Sequence, residues 1–274
     1  MLIIETTMVS LLDEMGLLDM ENSMVSYLFT STGEYPPLSK EQIVMVGGVC
    51  TAIFAIVAFI SYQTFKKEEK KMGWCISLFN SFVSTCVGCY YLAVNIKRHD
   101  HFFGYGPDPR LIFYSVAPID TIICIWFAVA CVTDLLFGAI YYPKYLDPLS
   151  GWVHHIVYIW MMYFSCTGDG LFVKAEPFAS AFVYMLIEEF PTFLLALGSV
   201  VPKMRVNKRF GLSFFILRIV YHSYVVSWAY ISGFHFQGMC LYYLTLALHG
   251  QWMIGWVKQQ FRPRKTTEVG KKAL

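Results

Sequence analysis

Two stretches, 43–62 and 73–95, contain no Asp, Glu, Lys, Arg or His. About 20 consecutive, mostly apolar residues are enough for a helix to cross the hydrocarbon of a bilayer. No soluble core has room for several such runs. Charged residues make up only 15% of the 274-residue chain, against about 25% in an ordinary soluble domain. Read for apolar runs bounded by charge, Pro or Gly, the chain predicts seven spans, near 43–62, 73–95, 114–138, 151–168, 177–200, 211–231 and 237–257. The expected fold is therefore an all-α polytopic membrane protein. A soluble enzyme is excluded, and so is an outer-membrane barrel, whose short alternating strands are missing. No basic domain suited to nucleic acid is present.

The runs divide the chain into a lumenal segment 1–42, a first transmembrane helix 43–62, a membrane domain 70–258 and a basic tail 259–274. Met8, Leu11, Leu12, Met15 and Leu18 recur at helical spacing between acidic residues, predicting a surface amphipathic helix over 8–25. The beginning of the sequence lacks the positive region of a signal peptide. Orientation follows from the cations flanking the spans. One side collects Lys66, Lys67, Lys70 and Lys71, then Lys144, then Lys203, Arg205, Lys208 and Arg209, then the tail; the other has Lys40, Lys97, Arg98, Arg110 and Lys174. The N-terminus is thus expected in the lumen and the C-terminus in the cytosol. There, Lys271 and Lys272 of Lys-Lys-Ala-Leu stand where a dilysine signal is read by coat proteins that return membrane proteins to the endoplasmic reticulum.

Ionisable residues inside a membrane are costly and face a protein interior, a cavity or a reaction. Here they are His154 and His155, Glu188 and Glu189, Arg218 and His222, Asp134 and His249. At a rise of about 1.5 Å per residue, Glu189, His222, Arg218 and His249 fall near the midpoints of their spans. His154, His155 and Asp134 lie toward the cytosolic side. The shared bias predicts a polar chamber opening to the cytosolic leaflet. Arg218 and His222 are four residues apart and are expected on one face; His154, Tyr158 and Ser165 on another. Glu188 and Glu189 point about 100° apart on an α-helix, so only one need face the chamber. Plainer readings stay open. Arg218 with Glu189 makes a helix-joining ion pair, His154 and His155 bond backbone carbonyls, and His249 joins two helices. Cys86 and Cys89 form a CxxC within a span, which reads as packing rather than redox or zinc chemistry.

In order along the chain stand Asn80-Ser81-Phe82-Val83-Ser84, Thr133-Asp134-Leu135-Leu136, His154-His155, Glu188-Glu189-Phe190-Pro191-Thr192-Phe193 and Phe214-Phe215-Ile216-Leu217-Arg218-Ile219. This succession resembles the TLC-domain family of membrane proteins, which includes ceramide synthases and translocon-associated proteins. The resemblance covers about Lys70 to Lys258 and implies a six-helix membrane barrel, built from spans two to seven, around a lipid-accessible cavity. Ceramide synthases extend their histidine pair with a later His-Asp; the corresponding stretch here, Cys166 to Val183, has none, so the non-synthase members are the closer likeness. Fatty-acid elongases use an HxxHH box, and position 151 here is Gly. Seven scattered histidines cannot supply the multiple boxes of metal-dependent desaturases, so no metal or other cofactor is expected.

What this implies is an endoplasmic-reticulum protein that binds acyl lipids in membrane lipid homeostasis. One version is catalytic: His154 or His155 serves as nucleophile or base in acyl transfer from a donor such as acyl-CoA. Asp134 or Glu189 then orients the ring, and Tyr158, Glu189, Arg218 and His222 line the cavity, Arg218 holding an anionic headgroup. The other class is non-enzymatic, a cargo receptor or membrane chaperone. If the charge bias sets topology, protease added to sealed microsomes removes a C-terminal tag and spares an N-terminal one; the reverse pattern would end both the orientation and the dilysine reading.

Overall fold

The computed structural model describes residues 38–99, 118–170 and 177–261. The amphipathic segment 8–25 and the tail lysines Lys271 and Lys272 lie outside them. All regular elements among the described residues are helical: α1 (Lys40–Phe65), α2 (Glu69–His99), α3 (Pro118–Tyr141), α4 (His154–Thr167), α5 (Ala179–Met185), α6 (Glu189–Val200), α7 (Asn207–Phe214), α8 (His222–Ile231) and α9 (Phe236–Gln260). Five stretches are long and apolar enough to cross a membrane: Lys40–Phe65, Glu69–Ala93, Pro118–Tyr141, Ala179–Val200 and Asn207–Ile231. The expected spans at 151–168 and 237–257 are helical as well, as α4 and α9, but do not join those five.

The outside of the molecule carries the membrane signature. Large apolar side chains such as Val44, Phe59, Ile140, Tyr230 and Ile231 are exposed, Ile231 to 80%. A water-soluble protein does not tile its surface with such residues. Cys86 and Cys89 are also exposed on α2, so core packing accounts for neither.

Inside, α2 is the common neighbour. It packs most extensively on α6, and also on α1, α3 and α5. Helix α1 touches mainly α2 and α3, through a small cluster of Phe54 and Ala58 against Ile76 and Ala130, and is otherwise peripheral. The opposite extreme is α5: every residue from Ala179 to Met185 is buried, as expected of a helix apolar all round.

Three local breaks shape the interior. Pro191 lacks the N–H that would bond the Ile187 carbonyl, and just before it the chain tightens into a 3-10 turn, Leu186–Glu188, between α5 and α6. Asp147 accepts from the Leu149 N–H at 3.0 Å, and Pro148 opens a π-helical turn, Pro148–Val153, that leads into α4; Asp as cap and Pro at the first position are the usual start of a helix. A second π-helical stretch, Phe215–Tyr221, joins α7 to α8. Such wide turns cluster at functional sites.

Helix α2 meets the 3-10 turn at Gly88. A Cβ there would stand 2.7 Å from the Ile187 nitrogen and 2.9 Å from the Leu186 carbonyl carbon, backbone atoms that cannot swing aside. Alanine favours a helix over glycine by about 1 kcal/mol, yet overpacking at such a contact costs about 1–3 kcal/mol. Gly88→Ala should therefore lower the melting temperature in detergent; a rise would show that α2 and the turn are not in contact.

Candidate functional site

Arg218 organises the interior. The π-helical stretch presents it, buried, toward the 3-10 turn. Its Nε donates to the Glu188 carbonyl at 2.9 Å, and Nη2 donates to Glu189 Oε1 at 2.9 Å and Thr192 Oγ1 at 2.7 Å. Nη1 donates to His249 Nε2 at 3.2 Å. Four of the guanidinium's five N–H donors are thus engaged. Arg218 is tied to α6 and α9 at once, and has little left to give a headgroup.

Hydrogen bonding also fixes protons on the histidines. His249 accepts from Arg218, so its proton sits on Nδ1, which donates to the Arg218 carbonyl at 3.1 Å. His222 Nε2 lies 3.0 Å from the Tyr242 carbonyl, to which it can only donate, and Nδ1 faces both oxygens of Glu188 at 3.0 Å. Two acceptors cannot face each other without a proton, so His222 and Glu188 hold a second one between them. Arg218 with Glu189 and His222 with Glu188 form two neutral pairs, as burial demands.

Glu188, His222 and His249 bring ligating atoms within 4.8 Å of one another, a donor set that suits a transition metal. Their hydrogen bonds oppose it. While Nε2 of His249 accepts from an arginine that can only donate, Nδ1 has no lone pair for a cation.

Both glutamates therefore face the interior. The expectation that one would suffice assumed α-helical spacing, whereas Glu188 ends a 3-10 turn and Glu189 begins α6. Glu189 is committed to Arg218 and does not orient a histidine of α4.

The chamber proper is a cavity of about 500 Å³ reached from the Lys/Arg-rich end, with Lys70, Tyr145 and Asp147 in its lining there and Thr192, Glu189 and Arg218 further along. That volume lies in the range of small-molecule sites. On its wall, His155 Nδ1 donates to the Gly151 carbonyl at 2.7 Å, and Nε2 stands 3.4 Å from Asp134 Oδ2. Tyr142, 2% exposed, donates its hydroxyl to Asp134 Oδ1. Pro143 stops α3 and lets the Tyr142 ring fold back to reach it. Asp134 is thus held between Tyr142 and His155.

His154 lines the same cavity differently. Its ring lies among Tyr158, His155 and Trp252, with centroids 4.5, 5.5 and 5.6 Å away. Its Nδ1 is buried and makes no hydrogen bond to the described residues. Past Phe127, Glu189 and Arg218, which line both, a second pocket of about 40 Å³ takes in Tyr158, Ser165, Glu188, His222 and His249.

The cavity therefore brings together His154, His155, Asp134, Glu189 and Arg218, while Tyr158 and His222 line the inner pocket. Sequence reasoning missed Tyr142 and Trp252, named Thr192 only as part of a motif without a role, and placed His249 near the chamber with helix joining as its plainer reading. Thr192 was legible as the residue after Pro191; Tyr142 was not, because it acts from beyond the end of its helix.

These residues define the interior of a multi-pass helical membrane protein. Comparison with protein-family models, with curated proteins and with solved structures found no match.

Removing one partner of a buried ion pair strands the other charge, at a cost of about 3–5 kcal/mol. Arg218→Leu and Glu189→Leu should each sharply lower melting temperature and yield, while the double replacement recovers part of the loss. Additive losses in the double variant would mean that the two side chains are not coupled.

Proposed function

We propose that this chain is a TLC-type protein of the endoplasmic reticulum membrane, with seven spans, its N-terminus lumenal and its C-terminus cytosolic. The six spans after α1 ring the chamber, which takes an acyl lipid from the cytosolic leaflet. The order of the motifs along the chain supports the family reading, and the cation bias supports the orientation. Lys271 and Lys272 return the protein to the endoplasmic reticulum.

The single observation that carries lipid binding is His154 at the cavity wall. A buried ring nitrogen without a partner loses the strength of a hydrogen bond unless a bound molecule restores it. Around it stand the aromatic faces of Tyr158 and Trp252, the apolar surroundings that an acyl chain or its carbonyl needs.

The same wall suits acyl transfer. His154 either takes the proton of an acceptor hydroxyl as it attacks an activated donor such as acyl-CoA, or carries the acyl group to that hydroxyl as nucleophile; the donor's carbon–sulfur bond breaks, and the neighbouring His155–Asp134 pair returns a proton to the departing thiolate. Tyr142 fixes the carboxylate. Arg218, saturated by its own partners, serves as scaffold.

Lipids retained by the purified protein, read by native mass spectrometry, test this directly. His154→Ala should leave the melting temperature nearly unchanged while depleting the bound acyl lipid; His155→Ala should deplete it too, with some loss of melting temperature because Asp134 keeps only Tyr142 as a partner. In an assay of acyl transfer, Asp134→Asn should lower the rate by about a hundredfold or more, as loss of acid–base assistance does. If both histidine variants keep the wild-type lipid set, the chamber is not the lipid site and a cargo-receptor role becomes the better reading.

A further inference from the structure

A third cavity, of about 380 Å³, opens at the same Lys/Arg-rich end, between the end of α6, the start of α7 and the end of α9. Leu194, Leu197 and Trp256 line its apolar part, and Arg205 and Arg209 are its cations. Both arginines are exposed, no carboxylate lines the cavity, and neither forms an ion pair with a described residue. Among the described residues, the one side-chain hydrogen bond made by either arginine is Arg205 Nε to Asn207 Oδ1 at 3.1 Å, which orients one guanidinium and leaves its outer N–H groups free.

The shape is held from both sides. A Cβ on Gly198 would meet the Arg205 Cα at 3.0 Å, so Arg205 rides directly on the end of α6. Gly211 lies under the indole of Trp256, where any Cβ would collide with the ring. The cavity and the histidine chamber share one partition, made of Leu195, Phe210 and Trp252.

Apolar surface beside two unpaired guanidiniums, at the end of the spans where headgroups lie, is complementary to an anionic amphiphile. We infer that this groove is a docking site for a phosphate-bearing membrane phospholipid of the phosphatidic acid type. Its phosphate lies between Arg205 and Arg209, with its chain on the Leu194–Trp256 surface against the partition. Arg218 is no rival for the phosphate, since four of its donors are taken. The groove then serves as the loading position for the chamber. This rests on the reading of the chamber as an acyl-lipid site, but the phosphate contact is separately measurable.

The protein is reconstituted in phosphatidylcholine nanodiscs containing a minor fraction of either phosphatidic acid or diacylglycerol, and retained lipid is counted by native mass spectrometry. Wild type should enrich phosphatidic acid and not diacylglycerol. Each guanidinium lost should reduce that enrichment by about tenfold, so R205Q/R209Q abolishes it, while R205K/R209K, keeping the charge, retains part. His155→Ala, whose side chain lines the chamber and not the groove, should lower the number of lipids retained while leaving the preference for phosphatidic acid over diacylglycerol intact. Equal enrichment of diacylglycerol, or unchanged enrichment in R205Q/R209Q, overturns the inference. So does displacement of the phospholipid by free coenzyme A at equal concentration, which would make the groove a site for a soluble phosphate compound.

Discussion

A guanidinium near the middle of a membrane-spanning segment cannot be left to solvent, and the interior of this protein is built around satisfying Arg218. Its partners come from the 3-10 turn, from α6 and from α9, so one side chain ties three parts of the chain together. Two of these partners need a backbone irregularity or a specific proton. The Glu188 carbonyl is offered at the end of the 3-10 turn. The π-helical stretch Phe215–Tyr221 carries Arg218 and offers its carbonyl to His249. His249 accepts only because its proton is on the other nitrogen. Remove Arg218, and the glutamate, the threonine and the histidine each lose a partner; this is why its charge is coupled to the scaffold rather than to any one neighbour.

Among the described residues, His222–Glu188 and His155–Asp134 are the two closest carboxylate–histidine pairs, and their surroundings divide their roles. His222–Glu188 is sealed. Its second ring nitrogen is spent on the Tyr242 carbonyl, both residues are buried, and the pocket beside it is only about 40 Å³. Such a pair neutralises charge and fixes geometry. His155–Asp134 lies instead on the wall of the 500 Å³ cavity, next to a histidine nitrogen with no hydrogen-bond partner among the described residues. A molecule in that cavity meets the second pair and not the first. Residue type alone, a histidine with an acid, does not make that distinction; access does.

The helices were legible because uncharged apolar runs admit little else, and the participation of Asp134, His154, His155, Glu189, Arg218 and His222 was legible because ionisable groups in such runs need a reason. What sequence periodicity missed follows from its assumption of 3.6 residues per turn. Glu188 and Glu189 are both used because the helix tightens between them. Arg218 and His222 are linked through a wide π-helical stretch rather than along a straight α-helical face. Tyr142 reaches Asp134 only because Pro143 folds the chain, and Thr192 answers Arg218 from a neighbouring helix. The groove was invisible for a simpler reason: Leu195, Arg205, Arg209 and Trp256 converge from separated parts of the chain, and in sequence the two arginines read only as part of a cytosolic cation cluster.

That cluster gains a second meaning from its position. Cations flanking a span orient it by acting on the membrane as a whole, and for that purpose their side chains need no fixed place. Arg205 has one: it sits on the end of α6 over Gly198 and is hydrogen-bonded to Asn207. A residue needed only for topology gains nothing from such ordering, which costs side-chain entropy. The ordering is useful where a ligand must meet a preset charge, because the loss is then not incurred on binding. The chamber lies one layer of side chains away, behind Leu195, Phe210 and Trp252. Polar groups engaged within the scaffold, a histidine nitrogen without a partner among the described residues, and an ordered cation, Arg205, outside the partition therefore follow one another toward the basic end of the molecule.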